Sequence, residues 1–197
     1  QIVEFPDENL KNAIKTKIDR GTANTSPIYS NDLYFVFDLS LQNNDISDIK
    51  GLEFCINLKN LSLYDNNISD LTPLANLTGL IDLNLDSNLI VDISPLASLT
   101  NLKYLGLSLN RISDLSPLEG LTELKDLFLA NNQITSVYAL RNLTKLEYLY
   151  LYFNQISYIN DLSALTNLIG IYLSDNSLSD LSVITTINAS GNTLDWL

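Results

Sequence analysis

Residues 58–123 repeat one 22-residue pattern three times: LKNLSLYDNNISDLTPLANLTG (58–79), LIDLNLDSNLIVDISPLASLTN (80–101) and LKYLGLSLNRISDLSPLEGLTE (102–123). The same frame continues through 124–145 and 146–167, and it extends back to 36–57, where Val36 replaces the first Leu. Self-similarity at a fixed period of this length indicates a chain built of stacked structural repeats. Each unit has places 1 to 22, counted from this first Leu or Val.

The spacing of apolar residues within the unit predicts a short strand followed by tight turns. Leu at places 4 and 6 alternates with polar or aromatic residues, which is the period of a β-strand. Apolar residues then recur at places 11, 14, 17 and 20, and this spacing of three suits 3₁₀ turns better than an α-helix. Because one unit cannot bury its apolar edge alone, we expect an α/β solenoid with one parallel sheet.

The two ends of the chain are expected to differ from the six full units of residues 36–167. The apolar period changes after residue 168, so we interpret 168–183 as a shortened unit and 184–197 as a terminal partial unit. We expect the repeats (36–197) and an N-terminal helical cap with its connecting loop (1–35) to form one structural domain overall.

An amphipathic stretch near the N terminus predicts this cap. Asp7 stands at the N-cap position, and the apolar residues that follow share one helical face: Leu10, Ala13, Ile14 and Ile18. Residues 19–32 are rich in Gly, Pro, Thr, Asn and Ser, which is typical of a loop that joins the cap to the first repeat.

Two polar places of the unit carry the same residue in most repeats, so each forms a column through the stack, and each column predicts a structural role. Place 9 is always Asn, whose carboxamide both donates and accepts and can satisfy backbone groups at the turn after each strand. Place 13 is mostly Asp; one carboxylate per coil supplies too few oxygens for calcium, so we expect turn capping. The columns are Asn44, Asn66, Asn88, Asn110, Asn132, Asn154, Asn176 and Asn192, and Asp48, Asp70, Asp92, Asp114 and Asp180.

Composition and charge exclude several classes of function. The chain has 11 Lys plus Arg against 23 Asp plus Glu, a net charge of −12, which argues against nucleic acid and against anionic membranes. The sequence contains no run of 18 apolar residues, so it does not predict a membrane-spanning helix. The absence of His removes the common nucleophilic triads, and the single Cys55 stands where other units have Leu. We therefore expect no enzyme activity, no cofactor and no metal.

The units closely resemble the 22-residue leucine-rich repeats of internalin-like bacterial surface proteins. IVEFPDENL (2–10) resembles the helical cap of that class, and GLEFC (51–55) resembles its first-repeat signature. The resemblance implies a leucine-rich-repeat right-handed superhelix, with a parallel β-sheet on the concave face, a mainly 3₁₀ or irregular convex face and an N-terminal α-helical cap. It also implies a secreted or cell-surface location in bacteria and a role in adhesion or host interaction. Because Gln1 is not an initiator Met and no signal or anchor is recognisable, we expect a processed product.

The concave face offers the candidate binding surface, since places 3, 5 and 7 alternate with the core positions of each strand. Aromatic residues concentrate in units four to seven, whereas units one to three present carboxylates and amides. Aromatic rings supply large contact area with few rotatable bonds. We predict a monomer whose partner protein supplies basic and aromatic contacts to Tyr104, Phe128, Tyr148, Tyr150, Tyr152, Phe153, Tyr172, Asp38, Tyr64, Asp82, Asp86 and Asp126.

Alternative functions are compatible with the same residues. Stacked aromatics stabilise neighbouring strands by about 0.5–1 kcal/mol per pair without any ligand, so the domain could be a structural spacer in a larger surface protein. A free Cys55 also permits an intracellular regulatory scaffold, resembling the eukaryotic 22-residue repeat proteins that hold phosphatases. Enzyme activity has the least support, because carboxylates on an open sheet lack a cleft that would separate their pKa values.

Overall fold

The computed structural model describes residues 1–18 and 26–188, and most of these residues belong to a seven-stranded parallel sheet and its connections. The strands follow chain order, and each residue pairs with the residue 22 positions later, as in Asp38 with Asn60 and Phe128 with Tyr150. The strands are β3 (Asp38–Ser40), β4 (Asn60–Ser62), β5 (Asp82–Asn84), β6 (Tyr104–Gly106), β7 (Asp126–Phe128), β8 (Tyr148–Tyr150) and β9 (Gly170–Tyr172).

A 3₁₀ helix follows each of the first six of these strands, as the spacing of three predicts. Pro occupies the first turn of three of them, where it has no backbone N–H to lose. The helices are Leu52–Phe54, Thr72–Leu74, Ser94–Leu96, Ser116–Leu118, Tyr138–Leu140 and Asn160–Ala164. The predicted fold is confirmed: the chain is a right-handed leucine-rich-repeat solenoid with the sheet on its concave face.

The core lies between the sheet and the 3₁₀ helices and is continuous from rung to rung. In unit four, the residues at the six apolar places are exposed by no more than 3%: Leu105, Leu107, Ile112, Leu115, Leu118 and Leu121. Cys55 takes one of these places in unit one and is fully buried. Burial raises the pKa of its thiol to about 12, so Cys55 packs as a small apolar residue, as predicted.

The Asn column links each rung to the one before it. The Asn110 Nδ2 donates to the Leu85 carbonyl of the preceding rung (3.0 Å) and to the Leu107 carbonyl of its own rung (3.1 Å). Its Oδ1 accepts from the Ile90 N–H (3.0 Å). The predicted structural role is therefore confirmed, and the same pattern recurs at Asn66, Asn88, Asn132, Asn154 and Asn176. Asn192 lies outside the described residues.

The Asp column caps turns that precede 3₁₀ helices and, at Asp180, the turn that precedes the α-helix Ser182–Asn188. Each carboxylate accepts, at 2.8 Å, the N–H of the residue two positions later. At Asp114, the N–H and hydroxyl of Ser116 hold the pKa of the carboxyl below its usual range. The predicted turn-capping role is confirmed for Asp48, Asp70, Asp92, Asp114 and Asp180.

The N-terminal cap is helix α1 (Glu8–Lys17), which buries Leu10 and Ile14 against the first rung. One oxygen of Asp7 accepts the N–H of Leu10 (3.0 Å), as expected for an N-cap residue. The other oxygen accepts the Ser47 N–H (2.9 Å), so the same carboxylate also joins the cap to the first repeat. Although burial opposes it, this set of N–H donors holds the pKa of Asp7 below its usual range.

The connection between the cap and the repeats contains more regular structure than the sequence predicts. Strand β2 (Ile28–Tyr29) pairs antiparallel with β1 (Ile2–Val3), and a 3₁₀ helix follows at Ser30–Leu33. The loop predicted over 19–32 is therefore wrong in its second half, because Ile28 is buried and Tyr29 exposed, the alternation of a strand. Residues 19–25 lie outside the described residues.

The last described element is helix α2 (Ser182–Asn188), which packs against the 3₁₀ helix Asn160–Ala164. The unit boundary predicted between residues 183 and 184 falls within this helix. Ile184 and Ile187 are buried in the common core, so the division of the chain at that point stays a prediction. The remainder of the predicted terminal unit, 189–197, lies outside the described residues.

We expect Asn110→Ala to lower the free energy of unfolding by roughly 3 kcal/mol, because it leaves buried N–H and C=O groups unpaired at about 1–3 kcal/mol each. Asn44→Ala is the matched control: Asn44 belongs to the first rung, and its Nδ2 donates only to the exposed Gln42 carbonyl (2.7 Å). Urea unfolding followed by circular dichroism measures both. Equal losses in the two variants would show that the carboxamide ladder does not hold the rungs together.

Candidate functional site: the concave face

The concave face consists of side chains on the outer side of the sheet, where they alternate with core residues. In β8, for example, half-buried Tyr148 and Tyr150 flank the fully buried Leu149. Because the strands are in register, residues at the same place of successive units stand side by side at about 4.8 Å per strand. The sequence columns at places 3 and 5 are therefore columns on one continuous surface.

Four aromatic rings form a continuous stack on this face, which we call the aromatic stack: Tyr104, Phe128, Tyr150 and Tyr172. The rings of Phe128 and Tyr150 are nearly parallel, with centroids 4.5 Å apart and planes at 11°. Tyr150 and Tyr172 are 4.3 Å apart at 6°, and Tyr104 joins Phe128 at 5.0 Å and 40°. All four side chains stay partly exposed, so the stack presents ring edges to solvent.

Two glycines make room for the side chains around the aromatic stack. A Cβ atom on Gly106 would lie 2.9 Å from the Asp86 carboxylate and 3.0 Å from the Asn84 carboxamide. A Cβ atom on Gly170 would lie 3.0 Å from the Tyr148 ring. A Cβ on Gly106 would clash with the Asp86 carboxylate, and a Cβ on Gly170 would force the Tyr148 ring to shift, so glycine at these places lets neighbouring polar and aromatic groups lie against the strands.

Carboxylates surround the Tyr104 end of the aromatic stack. Burial, together with the charges of Asp86, Asp126 and Asp82, raises the pKa of the Tyr104 hydroxyl to about 12. Burial also raises the pKa of Asp86, even though its carboxylate accepts the Ser108 N–H at 2.6 Å. We call these three residues, Asp82, Asp86 and Asp126, the acidic group.

In the part of the chain that the structure describes, no salt bridge joins the acidic group to a Lys or Arg, although Lys125 lies close enough to Asp126 to act against the rise in its pKa. Ion pairs there join neighbouring rungs elsewhere: Lys125 with Glu147 (2.5 Å), Lys145 with Glu123 (2.6 Å) and Arg141 with Glu119 (3.3 Å). Burial and the nearby Glu147 raise the pKa of Asp126. The concave face thus carries carboxylates beside its aromatic rings that no salt bridge of the described residues neutralises.

Of the remaining residues predicted for the binding surface, some lie next to the aromatic stack and others lie on the first two rungs. Tyr148 adjoins Gly170, and Tyr152 contacts Phe153 edge to face at 5.8 Å, next to the aromatic stack. Asp38 lies on the first rung, accepts a hydrogen bond from the Asn60 side chain, and lines one depression of the concave face together with Asp82 and Tyr104. Tyr64 lies on the second rung and does not line this depression. The structure therefore brings the aromatic residues of units four to seven together with the acidic group and connects Asp38 to its Tyr104 end.

Sequence reasoning missed Leu109, which is 52% exposed at place 8, at the margin of the concave face. Its signal is a large apolar residue at a place where the other units, apart from Phe153, carry Asn, Asp or Ser. It also missed the neighbouring Ala130, which is fully buried at place 7.

Within residues 1–18 and 26–188, no cluster of three or more Asp, Glu, His or Cys residues is arranged to hold a metal ion. In the same residues, no helix has the length and apolarity needed to cross a membrane.

Comparison with known proteins identifies the class of protein to which this chain belongs. A family model described as leucine-rich repeats (two copies) matches residues 38–76, 56–98, 78–120, 100–142, 122–164 and 144–186. Among curated proteins, none matches this chain. The chain is therefore a leucine-rich-repeat protein, in agreement with its sheet and its Asn column.

Solved structures of similar proteins show to which family of leucine-rich-repeat proteins the chain belongs. Internalin C2 from Listeria monocytogenes is 37% identical, with a TM-score of 0.77 over 98% of this chain and 94% of that one. An internalin, InlF, from the same species is 31% identical with a TM-score of 0.91; this chain covers 55% of its length. The chain belongs to the internalin family.

A more distant structure shares the fold alone. The leucine-rich-repeat ectodomain of the plant membrane receptor kinase GASSHO1/SCHENGEN3 from Arabidopsis thaliana, in complex with CASPARIAN STRIP INTEGRITY FACTOR 2, is 24% identical. Its TM-score is 0.73 over 84% of this chain and 21% of that one.

We expect Asp86→Asn to stabilise the protein at pH 7. Burial raises the pKa of Asp86 in the folded protein, so the folded state binds the carboxyl proton more tightly than the unfolded chain does. The free energy of unfolding therefore falls as the pH rises from the unfolded-state pKa through the folded-state pKa. Asn removes the charge but keeps an acceptor for the Ser108 N–H. The difference in melting temperature should shrink at pH values well below the ordinary pKa of 3.8, where Asp86 is protonated in both states.

The exposed Asp82→Asn is the matched control, and we expect it to change the melting temperature little at either pH. An Asp86→Asn variant that melts lower at pH 7 would mean that the hydrogen bond from Ser108 outweighs the cost of burying the charge.

Proposed function

We propose that this domain binds a partner protein through its concave face, with no catalytic step. The observation that carries the proposal is the aromatic stack, four partly exposed rings at centroid spacings of 4.3–5.0 Å across four strands. Rigid aromatic surface loses little conformational entropy on binding, and such residues dominate the energetics of protein interfaces. Monomeric proteins rarely expose a continuous apolar patch that has no use.

The charges beside the aromatic stack define the chemistry of the partner. The acidic group lies around Tyr104, and no Lys or Arg of the described chain forms an ion pair with it. A partner with Lys or Arg next to an aromatic or apolar side chain complements both features. Charge of this kind steers association more than it sets final affinity, over about 8 Å at physiological salt.

The family membership supports a bacterial setting for this function. We propose that the domain acts at the cell surface or after secretion, in adhesion or host contact, as the similarity to InlF and internalin C2 suggests. Asp38 and Tyr64, on the first two rungs, belong to the proposed surface as outer contacts. The domain is proposed to act as a monomer.

A structural spacer is the second candidate function. It is favoured by the contacts between rungs, because each stacked ring pair and each inter-rung ion pair stabilises the solenoid without a ligand. Stacked pairs contribute about 0.5–1.5 kcal/mol each. The two functions therefore differ in what removal of the rings should change: binding in one case, stability alone in the other.

We expect a phage-displayed library of random peptides, selected on the immobilised domain, to yield peptides with Lys or Arg beside aromatic residues. A fluorescein-labelled copy of the best peptide should lose at least about tenfold in affinity for a Tyr150→Ala/Tyr172→Ala variant, because two stacked contact rings are removed. Fluorescence anisotropy measures the affinity, and thermal melting measures the stability of each variant.

Tyr158→Ala is the control, because Tyr158 is an exposed tyrosine (56%) at place 13, outside the columns of the sheet. It should bind the peptide as the unmodified domain does. If no peptide is selected, or if the double variant binds equally well and melts at a much lower temperature, the rings are structural and the spacer function is correct.

A further inference from the structure

A depression in the concave face lies at the Tyr104 end of the aromatic stack, and we call it the Tyr104 depression. It is open to solvent, and its volume of about 340 Å³ is near the lower end of the roughly 300–1,000 Å³ of pockets that enclose a drug-sized ligand. It therefore suits the end of one side chain. Its lining includes Asp38, Asn60, Asp82 and Tyr104, which stand side by side at place 3 of four successive rungs.

Tyr104 presents a free ring face to this depression. Phe128 and Tyr150 each have an aromatic ring on both sides, so the stack covers both of their faces. Tyr104 has only Phe128 beside it, on the strand that follows, whereas the depression lies over the strands that precede it. The face of an aromatic ring is the negative part of its quadrupole, so this face attracts a cation or a planar guanidinium.

Two carboxylates line the depression, and Asp82 is the one beside the free ring face. The sheet register pairs Asp82 with Tyr104, so their backbones lie about 4.8 Å apart. The exposed Asp82 side chain forms no hydrogen bond or ion pair within residues 1–18 and 26–188. Asp38 accepts a hydrogen bond from the Asn60 side chain at one oxygen and forms no ion pair within the same residues. The depression therefore carries two negative charges that no salt bridge of the described chain neutralises.

The lysines that precede β4 and β6 by one position are directed elsewhere. The Lys59 Nζ lies 3.0 Å from the position that a Cβ on Gly79 would take, outside the strands of the sheet. Lys103 acts on Glu123, where Lys145 and, to a lesser extent, Lys103 hold the pKa of the carboxyl below its usual range. Neither Lys59 nor Lys103 forms an ion pair with a lining carboxylate in the described chain, so a cation of the partner meets no competing ammonium group of these strands.

We propose that the Tyr104 depression is an arginine site. The guanidinium of one Arg of the partner protein stacks on the free face of Tyr104 and donates two N–H groups to the Asp82 carboxylate, while Asp38 adds negative charge across the depression. This inference rests on the proposed function and names one contact of the same surface. A guanidinium is planar and pairs with a carboxylate through two parallel hydrogen bonds, whereas a Lys ammonium is a compact, strongly hydrated charge, so the depression selects Arg over Lys.

We expect the peptides selected from the phage-displayed library to contain an Arg that binding requires. In the labelled peptide, replacement of this Arg by Lys keeps the charge but loses the planar group, and replacement by citrulline keeps the planar group but loses the charge. Each change should weaken binding to the unmodified domain by at least about fivefold in fluorescence anisotropy, because the first removes the stacking and the second removes the charge-assisted hydrogen bonds.

Double-mutant cycles with two variants of the domain locate the Arg. In Tyr104→Leu the ring face is gone, so replacement of Arg by Lys should cost much less affinity than in the unmodified domain. In Asp82→Asn the charge is gone, so the citrulline peptide should bind almost as well as the Arg peptide. The matched controls are Tyr64→Leu, an exposed tyrosine outside the depression, and Asp175→Asn, an exposed carboxylate on the last rung; in both, the two peptide changes should keep their full cost.

The outcomes separate this inference from the function on which it rests. Selected peptides that carry Lys and no Arg, or peptide changes that cost the same in Asp82→Asn or in a folded Tyr104→Leu variant as in the unmodified domain, overturn the arginine site. Loss of binding in Tyr150→Ala/Tyr172→Ala then still keeps the proposed function. Because Asp82 is exposed, Asp82→Asn decides the outcome even if Tyr104→Leu melts at a much lower temperature. If no peptide is selected, or if the double Tyr variant binds normally, the proposed function and this inference both fail.

Discussion

The carboxamide at place 9 is the interaction on which the rest of this solenoid depends. Each short strand ends in a turn that contains backbone groups with no backbone partner, and burying them unpaired would cost about 1–3 kcal/mol apiece. Asn110 satisfies three such groups at once, two of them in the preceding rung, and stays buried while doing so. Stacking at a strict period of 22 residues follows, because insertion of one residue would remove the carboxamide from its partners.

The regular stacking has a direct consequence for the concave face. Strands in register place identical positions side by side, so a preference for aromatic residues at place 5 becomes a stack of parallel rings. The same register brings Asp82, Asp86 and Asp126 close enough to one another to oppose ionisation of Tyr104. The proposed binding surface is therefore a product of the repeat itself, and variation within the columns supplies its specificity.

Stability and surface chemistry conflict at two kinds of position on this face. Burial raises the pKa of Asp86 and Asp126, so their charges at neutral pH are held at a cost to folding. Leu109 and Phe153 adopt a left-handed backbone conformation, with φ of 57° and 54°, that suits Asn or Asp better. The N-cap Asp7 shows the opposite case, in which four N–H donors stabilise the carboxylate and tie the cap to the first repeat. Unfavourable features that persist on an exposed face are typical of a surface used for binding.

The sequence by itself determined the period, the parallel sheet, the 3₁₀ helices, the cap helix and the structural roles of the Asn and Asp columns. The repeated features could be predicted because their local spacing recurs from unit to unit, as with the prolines Pro73, Pro95 and Pro117. The cap helix could be predicted because Asp7 and the apolar face that follows it are close together in the sequence. It could not predict β2, since Ile28 becomes a strand residue only by pairing with Val3, far away in the chain. Only the tertiary structure decided that Asp86 lies against Gly106, that Tyr104 joins the aromatic stack, and that Leu109 is strained and exposed. These features arise from contacts between rungs and from backbone conformations imposed by a neighbouring strand, and neither is encoded within a single unit.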